Sequence, residues 1–111
     1  MRIAAHVLLV LAGASFACKP SDNESAVELG KRAYAANCIA CHNPDPTKDG
    51  TLGPAIAGSS LALVEARVLR AEYPPGYTPK RSSGLMPAQL FLKPDVPNLA
   101  AYLESLAPAT Q

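Results

Sequence analysis

Tryptophan is absent from this 111-residue chain, and aromatic residues make up only 5% of it. So few large apolar side chains leave the polypeptide a thin core of its own, and short single domains of this kind often need a staple. Neither sign of charge is in excess: ten Lys and Arg face nine Asp and Glu, for a formal net charge of +1. Such a balance gives no hint of a nucleic-acid partner. No stretch alternates apolar and polar residues as a strand would, which argues against a sheet-based fold. The apolar run from Ala4 to Leu11 is too short to span a bilayer. Cysteine occurs three times, histidine and methionine twice each. Proline, by contrast, is abundant at eleven residues. It implies long, stiffened loops rather than long helices.

Against that background the run Cys38-Ile39-Ala40-Cys41-His42 organises the chain. A Cys-x-x-Cys-His sequence is the attachment sequence for a c-type haem. Two thiols three residues apart suit addition across the two vinyl groups of one porphyrin, and the adjoining imidazole suits the proximal side of the iron. A covalently held haem would also supply the large flat apolar body that the polypeptide lacks. Its two propionates would add negative charge. Three other readings stand beside this one. A structural zinc site needs four ligands, and beyond Cys38, Cys41 and His42 the chain offers only His6 and Cys18. A thioredoxin-like dithiol usually sits beside a βαβ pattern. A plain structural disulfide would leave His42 unexplained.

Residues 1–17 read as a signal peptide. Arg2 gives a short positive start, Ala4 to Leu11 is apolar apart from His6, and Gly13 to Ala17 is small and apolar. A buried N-terminal helix is the alternative. With Arg2 removed, the remainder carries no net charge. Cys18 is then the odd cysteine. Its setting, Ala14-Ser15-Phe16-Ala17 before it and Lys19-Pro20-Ser21-Asp22 after it, resembles a bacterial lipoprotein signal. In such a signal the cysteine becomes the lipid-bearing first residue. Ser15 stands where these signals usually have Leu, and simple cleavage after Ala17 is the competing reading. Acyl chains on Cys18 would hold a soluble domain at a membrane. Residues 18–24 would then be a tether, with no apolar side chain from Lys19 to Glu24 except Pro20.

The folded domain spans residues 25–111 on this reading. Ser21-x-x-Glu24 and Ser25-x-x-Glu28 both have the form of capping boxes. Val27, Gly30, Tyr34, Asn37 and Cys41 then recur at spacings of three and four, which marks one helical face. Glycine inside a helix costs about 1 kcal/mol against alanine. Gly30 is either accidental or there to let another helix approach closely. Ser59 or Ser60 can cap a second helix whose apolar face carries Leu61, Val64 and Val68. Val96, Leu99, Leu103 and Leu106 form the stripe of a third, with Pro94 or Pro97 in its first turn.

Gly30-x-x-x-Tyr34-x-x-x-Cys38-x-x-Cys41-His42 resembles the opening of a class I cytochrome c, and the resemblance extends from Ser25 to the end of the chain. It implies an all-α fold of three to four short helices around one covalent haem c. In that family the N- and C-terminal helices cross where a glycine meets an aromatic ring, which implies a contact between Gly30 and Tyr102. Leu52-Gly53-Pro54 is similar to the family's Gly-Pro element, so the resemblance implies that the Pro54 carbonyl accepts the second N–H of His42. Gly84-Leu85-Met86-Pro87 resembles the family's distal-ligand loop and implies Met86 as the second axial ligand. If the signal is removed, Met86 is the one methionine left, and lysine is the only plausible substitute. Core filling is the commoner role for a lone methionine. His/Met ligation would raise the reduction potential.

The implied function is one-electron transfer between redox proteins, not catalysis, by an exported monomer in the periplasm or at the outer face of a bacterial membrane. The alternatives are a fixed haem subunit of a membrane respiratory complex and an open-site haem enzyme or gas sensor. Arg67 or Arg70 is expected either to meet a haem propionate or to be solvated. Lys80 and Arg81 are expected either to steer an acidic partner or to lie in a solvated loop.

Overall fold

The computed structural model describes residues 24–107. The expectations for the signal peptide and for Cys18 fall outside the described residues. Among the described residues there are three α-helices and no strand. Helix α1 spans Ala26–Asn37, α2 spans Leu61–Arg70, and a 3-10 helix over Leu90–Asp95 runs directly into α3, Val96–Ser105. No helix among the described residues is long and apolar enough to cross a membrane.

Helices α1 and α2 each start where a hydroxyl takes an otherwise unpaired backbone donor. The Ser25 hydroxyl accepts the Glu28 N–H at 3.3 Å and starts α1. That is the serine half of the second capping box; Ser21 of the first lies outside the described residues. Glu24 pairs with Arg32 at 2.6 Å. The Ser60 hydroxyl accepts the Leu63 N–H at 3.2 Å and starts α2. Pro97 occupies the first turn of α3, where its missing N–H costs nothing, while Pro94 falls within the 3-10 helix.

Two details differ from the periodic pattern. Helix α1 ends at Asn37, with the Cys38 N–H bonded to the Tyr34 carbonyl, so Cys41 lies in the turn beyond the helix rather than on its face. On α2 the apolar face begins at Val64, because Leu61 remains 46% exposed. That helix ends at Ala71, which takes a left-handed φ of 55° and returns its N–H to the Ala66 and Arg67 carbonyls.

The core gathers Tyr34 from α1, Val64 and Val68 from α2, Leu92 from the 3-10 helix, and Leu99 and Leu103 from α3. The Gln89 N–H donates to the Val68 carbonyl at 2.6 Å and fastens the entry to the 3-10 helix onto α2. Helices α1 and α3 cross at Gly30. A Cβ there would strike the Asn98 carbonyl and lie 2.8 Å from the Tyr102 Cβ. Only hydrogen in place of a side chain permits so close a backbone approach. The Tyr34 and Tyr102 rings pack one turn away, with centroids 5.7 Å apart at 59°, a tilted geometry that aromatic quadrupoles favour.

Candidate functional site

The site begins where α1 stops. The Cys41 and His42 N–H groups both return to the Cys38 carbonyl, at 3.2 and 2.9 Å, and wind residues 38–42 into a tight turn. Residues 43–57 then loop out and come back. The Asn43 side chain accepts from the Asp45 N–H at 2.9 Å, and the Asp45 carboxylate accepts from the Thr47 N–H and hydroxyl at 3.0 and 2.7 Å. These Asx turns suit a segment too rich in proline for a helix. The Thr47 bonds also hold the Asp45 carboxyl below its ordinary range. On the return, the Leu52 and Gly53 N–H groups donate to the Cys41 carbonyl at 3.2 and 2.9 Å. The Ala55 N–H donates to the Asp49 carboxylate at 2.9 Å.

This loop delivers the Pro54 carbonyl to 3.0 Å from His42 Nδ1. A carbonyl can only accept, so Nδ1 carries the proton and Nε2 keeps its lone pair free for a metal. Gly53 leaves the space that this ring occupies. A Cβ on Gly53 would lie 2.5 Å from Nδ1 and 2.9 Å from Nε2. From the other side, the buried Tyr34 hydroxyl donates to the Asn43 carbonyl at 2.6 Å and pins the residue after His42. Burial first, and then Cys38, Tyr102 and Asp45, push the Tyr34 hydroxyl well above the usual tyrosine range.

Cys38, Cys41, His42, Pro54 and Met86 all border one cleft, whose apolar walls include Val64, Val68 and Leu99. Met86 is half-buried and packs against the core cluster. Both thiols are free. Cys41 is exposed, whereas Cys38 is half-buried and its thiol is pushed up to about 11, by burial and then by Cys41. No group of three or more His, Cys, Asp or Glu side chains among the described residues could hold a metal on its own. A haem fits these residues on two counts. A glycine-backed imidazole whose other nitrogen is bonded to Pro54 borders the cleft, and so do two unpaired thiols three residues apart.

The structure separates the four cations left open by the sequence. Arg67 borders the cleft, donates to the Ala71 carbonyl at 2.7 Å, and lies 4.2 Å above the Tyr73 ring, which itself stacks on Tyr77 at 5.4 Å. Arg70 does not border the cleft and is engaged by Glu65 at 3.3 Å and Glu72 at 3.4 Å. Lys80 and Arg81 both reach across to the 43–57 loop, donating to the Ala55 carbonyl at 2.7 Å and the Gly50 carbonyl at 3.3 Å. Sequence reasoning assigned Pro54 but passed over Gly53 and the Tyr34 hydroxyl. A glycine directly before the proline, and a tyrosine one helical turn before Cys38, were the available signals.

A sequence profile described as cytochrome c matches residues 27–107, which takes in α2, α3, all of α1 but its first residue, and every residue of the cleft named above. No curated protein matches the chain. The chain belongs to the cytochrome c family, whose members bind a covalent haem c and are generally electron carriers.

Proposed function

We propose that this chain is an exported one-electron carrier, with a single haem c joined to Cys38 and Cys41 and its iron held by His42 and Met86. The supporting observation is that two thiols, an oriented imidazole and a thioether converge on one apolar cleft. When bound, haem c supplies a reversible one-electron couple at iron. The chain's own residues set its conditions. Thioether bonds at Cys38 and Cys41 prevent dissociation. The Pro54 carbonyl fixes the His42 ring and makes Nε2 a stronger donor. The Met86 sulfur, a soft ligand, favours the reduced state. Val64, Val68 and Leu99 exclude water from the cleft and so limit rearrangement between the two charge states. Of Arg67 and Arg70, Arg67 is the one that would meet a carboxylate of the cofactor: it borders the cleft, whereas Arg70 does not and is engaged by Glu65 and Glu72.

Partners are other redox proteins, met through a small transient interface. The near-neutral net charge favours apolar contact over long-range steering. The location is the periplasm or the outer face of a bacterial membrane, with lipid on Cys18 as the anchor. Optical spectra of the purified exported protein test the reading. Expected are six-coordinate, low-spin haem c spectra in both oxidation states and no rapid carbon monoxide binding to the ferrous form. Met86→Ala should gain that binding. Rapid, tight binding to the unmodified protein contradicts Met86 ligation and favours an open site.

A further inference from the structure

The segment that carries Met86 has few attachments of its own. It leaves α2 at Glu72, whose N–H donates to the Ala66 carbonyl at 3.1 Å, and its backbone is not fastened to a helix again until the Gln89 N–H meets the Val68 carbonyl. Between those points the Tyr77 N–H returns to the Pro74 carbonyl, and the Tyr73–Tyr77 stack leans on Arg67. Beyond Tyr77, residues 78–88 form no regular element. Among the described residues, only two side chains join 78–88 to the rest of the chain by hydrogen bonds: Lys80 to the Ala55 carbonyl and Arg81 to the Gly50 carbonyl. Arg81 also lies 3.9 Å from the Asp49 carboxylate.

The acceptors are as informative as the donors. Ala55 directly follows Pro54, so consecutive carbonyls of one loop receive His42 and Lys80. Gly50 and Asp49 belong to the same closed loop. The Gly50 N–H donates to the Gly53 carbonyl at 2.9 Å, and the Asp49 carboxylate takes the Ala55 N–H. The two cations therefore grip a rigid partner, 25 and 31 residues away in sequence.

We propose that Lys80 and Arg81 are positioning residues, a two-point clasp that holds the Met86 segment against the loop that orients His42. The clasp links the two sides of the cleft through the 49–55 turn, and it is the part of the molecule that sets how readily Met86 leaves its place. In its consequence for Met86 the inference rests on the ligation proposed above. In its consequence for the segment itself it does not.

Two readouts on the ferrous holoprotein keep these apart. One is the backbone order parameter of Ser82 to Leu85 by NMR. The other is the rate of carbon monoxide binding. The variants are Lys80→Met, Arg81→Gln and the pair together, with Lys80→Arg as the conservative rescue and Lys48→Met as a control on the same loop. Each variant is first checked for an unchanged helical circular dichroism signal. The double variant should drop the order parameters from the rigid range to below about 0.6. It should also speed carbon monoxide binding roughly tenfold, equivalent to ~1.4 kcal/mol of lost restraint. The single variants should fall between, Lys80→Arg should restore the parent values, and Lys48→Met should change neither.

Unchanged order parameters in the double variant overturn the clasp. Lower order parameters with unchanged carbon monoxide binding overturn its role in placing Met86. A parent protein that already binds carbon monoxide rapidly contradicts the ligation reading alone, and the order parameters still decide the clasp.

Discussion

Replacing Gly30 with alanine adds one methyl group where the structure has no room for it. The new Cβ would strike the Asn98 carbonyl oxygen, lie 2.5 Å from its carbonyl carbon and sit 2.8 Å from the Tyr102 Cβ. Two of these atoms are backbone and the third is the root of a side chain, so none can swing aside. Helices α1 and α3 must separate instead, at the contact that carries Tyr34 and Tyr102. Two effects oppose each other. Alanine gains about 1 kcal/mol of helix propensity over glycine. Overpacking a close contact costs typically about 1–3 kcal/mol, occasionally more, and a clash against backbone belongs at the upper end. The net expectation is a loss of roughly 1–2 kcal/mol. At about 4–8 °C per kcal/mol for a domain of this size, the thermal midpoint should fall by roughly 5–15 °C. Thermal denaturation of the holoprotein measures it. Gly84→Ala is the control, because a Cβ there meets nothing within 4 Å. A Gly30→Ala midpoint equal to or above the parent's, with Gly84→Ala unchanged, would refute the crossing.

Other expectations follow from single contacts. Gly53→Ala drives a methyl group against the His42 ring and breaks its bond to the Pro54 carbonyl. A less basic imidazole stabilises the ferric state less, so electrochemistry should show a higher midpoint potential. An unchanged potential would remove Gly53 from the site. Tyr34 is held protonated in the folded state, so its contribution to stability is complete below the unfolded tyrosine value near pH ~10 and is lost as pH rises further. Tyr34→Phe should lose about 1 kcal/mol at neutral pH, from the bond to Asn43, and show a shallower decline in urea midpoint above pH ~10. Parallel alkaline curves for the two proteins would count against that assignment. Ala71→Gly relieves a left-handed alanine at the end of α2 and should raise stability by about 0.5–1 kcal/mol in the same urea assay. A decrease would mean that the Ala71 methyl group is worth more than the strain.

Much of this was legible in the sequence because its signals are local. Ser25 announces a helix start through Glu28 three positions on, Ser59 and Ser60 narrow another to two neighbouring caps, and a stripe such as Val96, Leu99 and Leu103 needs only helical spacing to declare a buried face. The motif at Cys38, Cys41 and His42 is equally local. Where helices end was less legible. Cys41 continues the α1 periodicity in sequence, yet the backbone turns after Asn37, because periodicity does not register the switch to a turn. Leu61 fits the α2 stripe but stays exposed, since burial depends on what faces the first turn. The loop cations were least legible. A lysine between prolines and serines looks solvated until its acceptor is known, and Ala55 lies 25 residues away. Gly53 was hidden for a related reason: a glycine in a turn is unremarkable until an imidazole is seen occupying the space of its missing side chain.

The proposed function depends on a covalent bond from the cofactor to each of Cys38 and Cys41. Intact mass spectrometry of the exported protein, denatured before measurement, tests it most directly. The account predicts a coloured species whose mass is that of the polypeptide plus one haem, with neither of these two thiols open to alkylation. A mass equal to the bare polypeptide, with Cys38 and Cys41 both alkylated or joined only to each other, would contradict it.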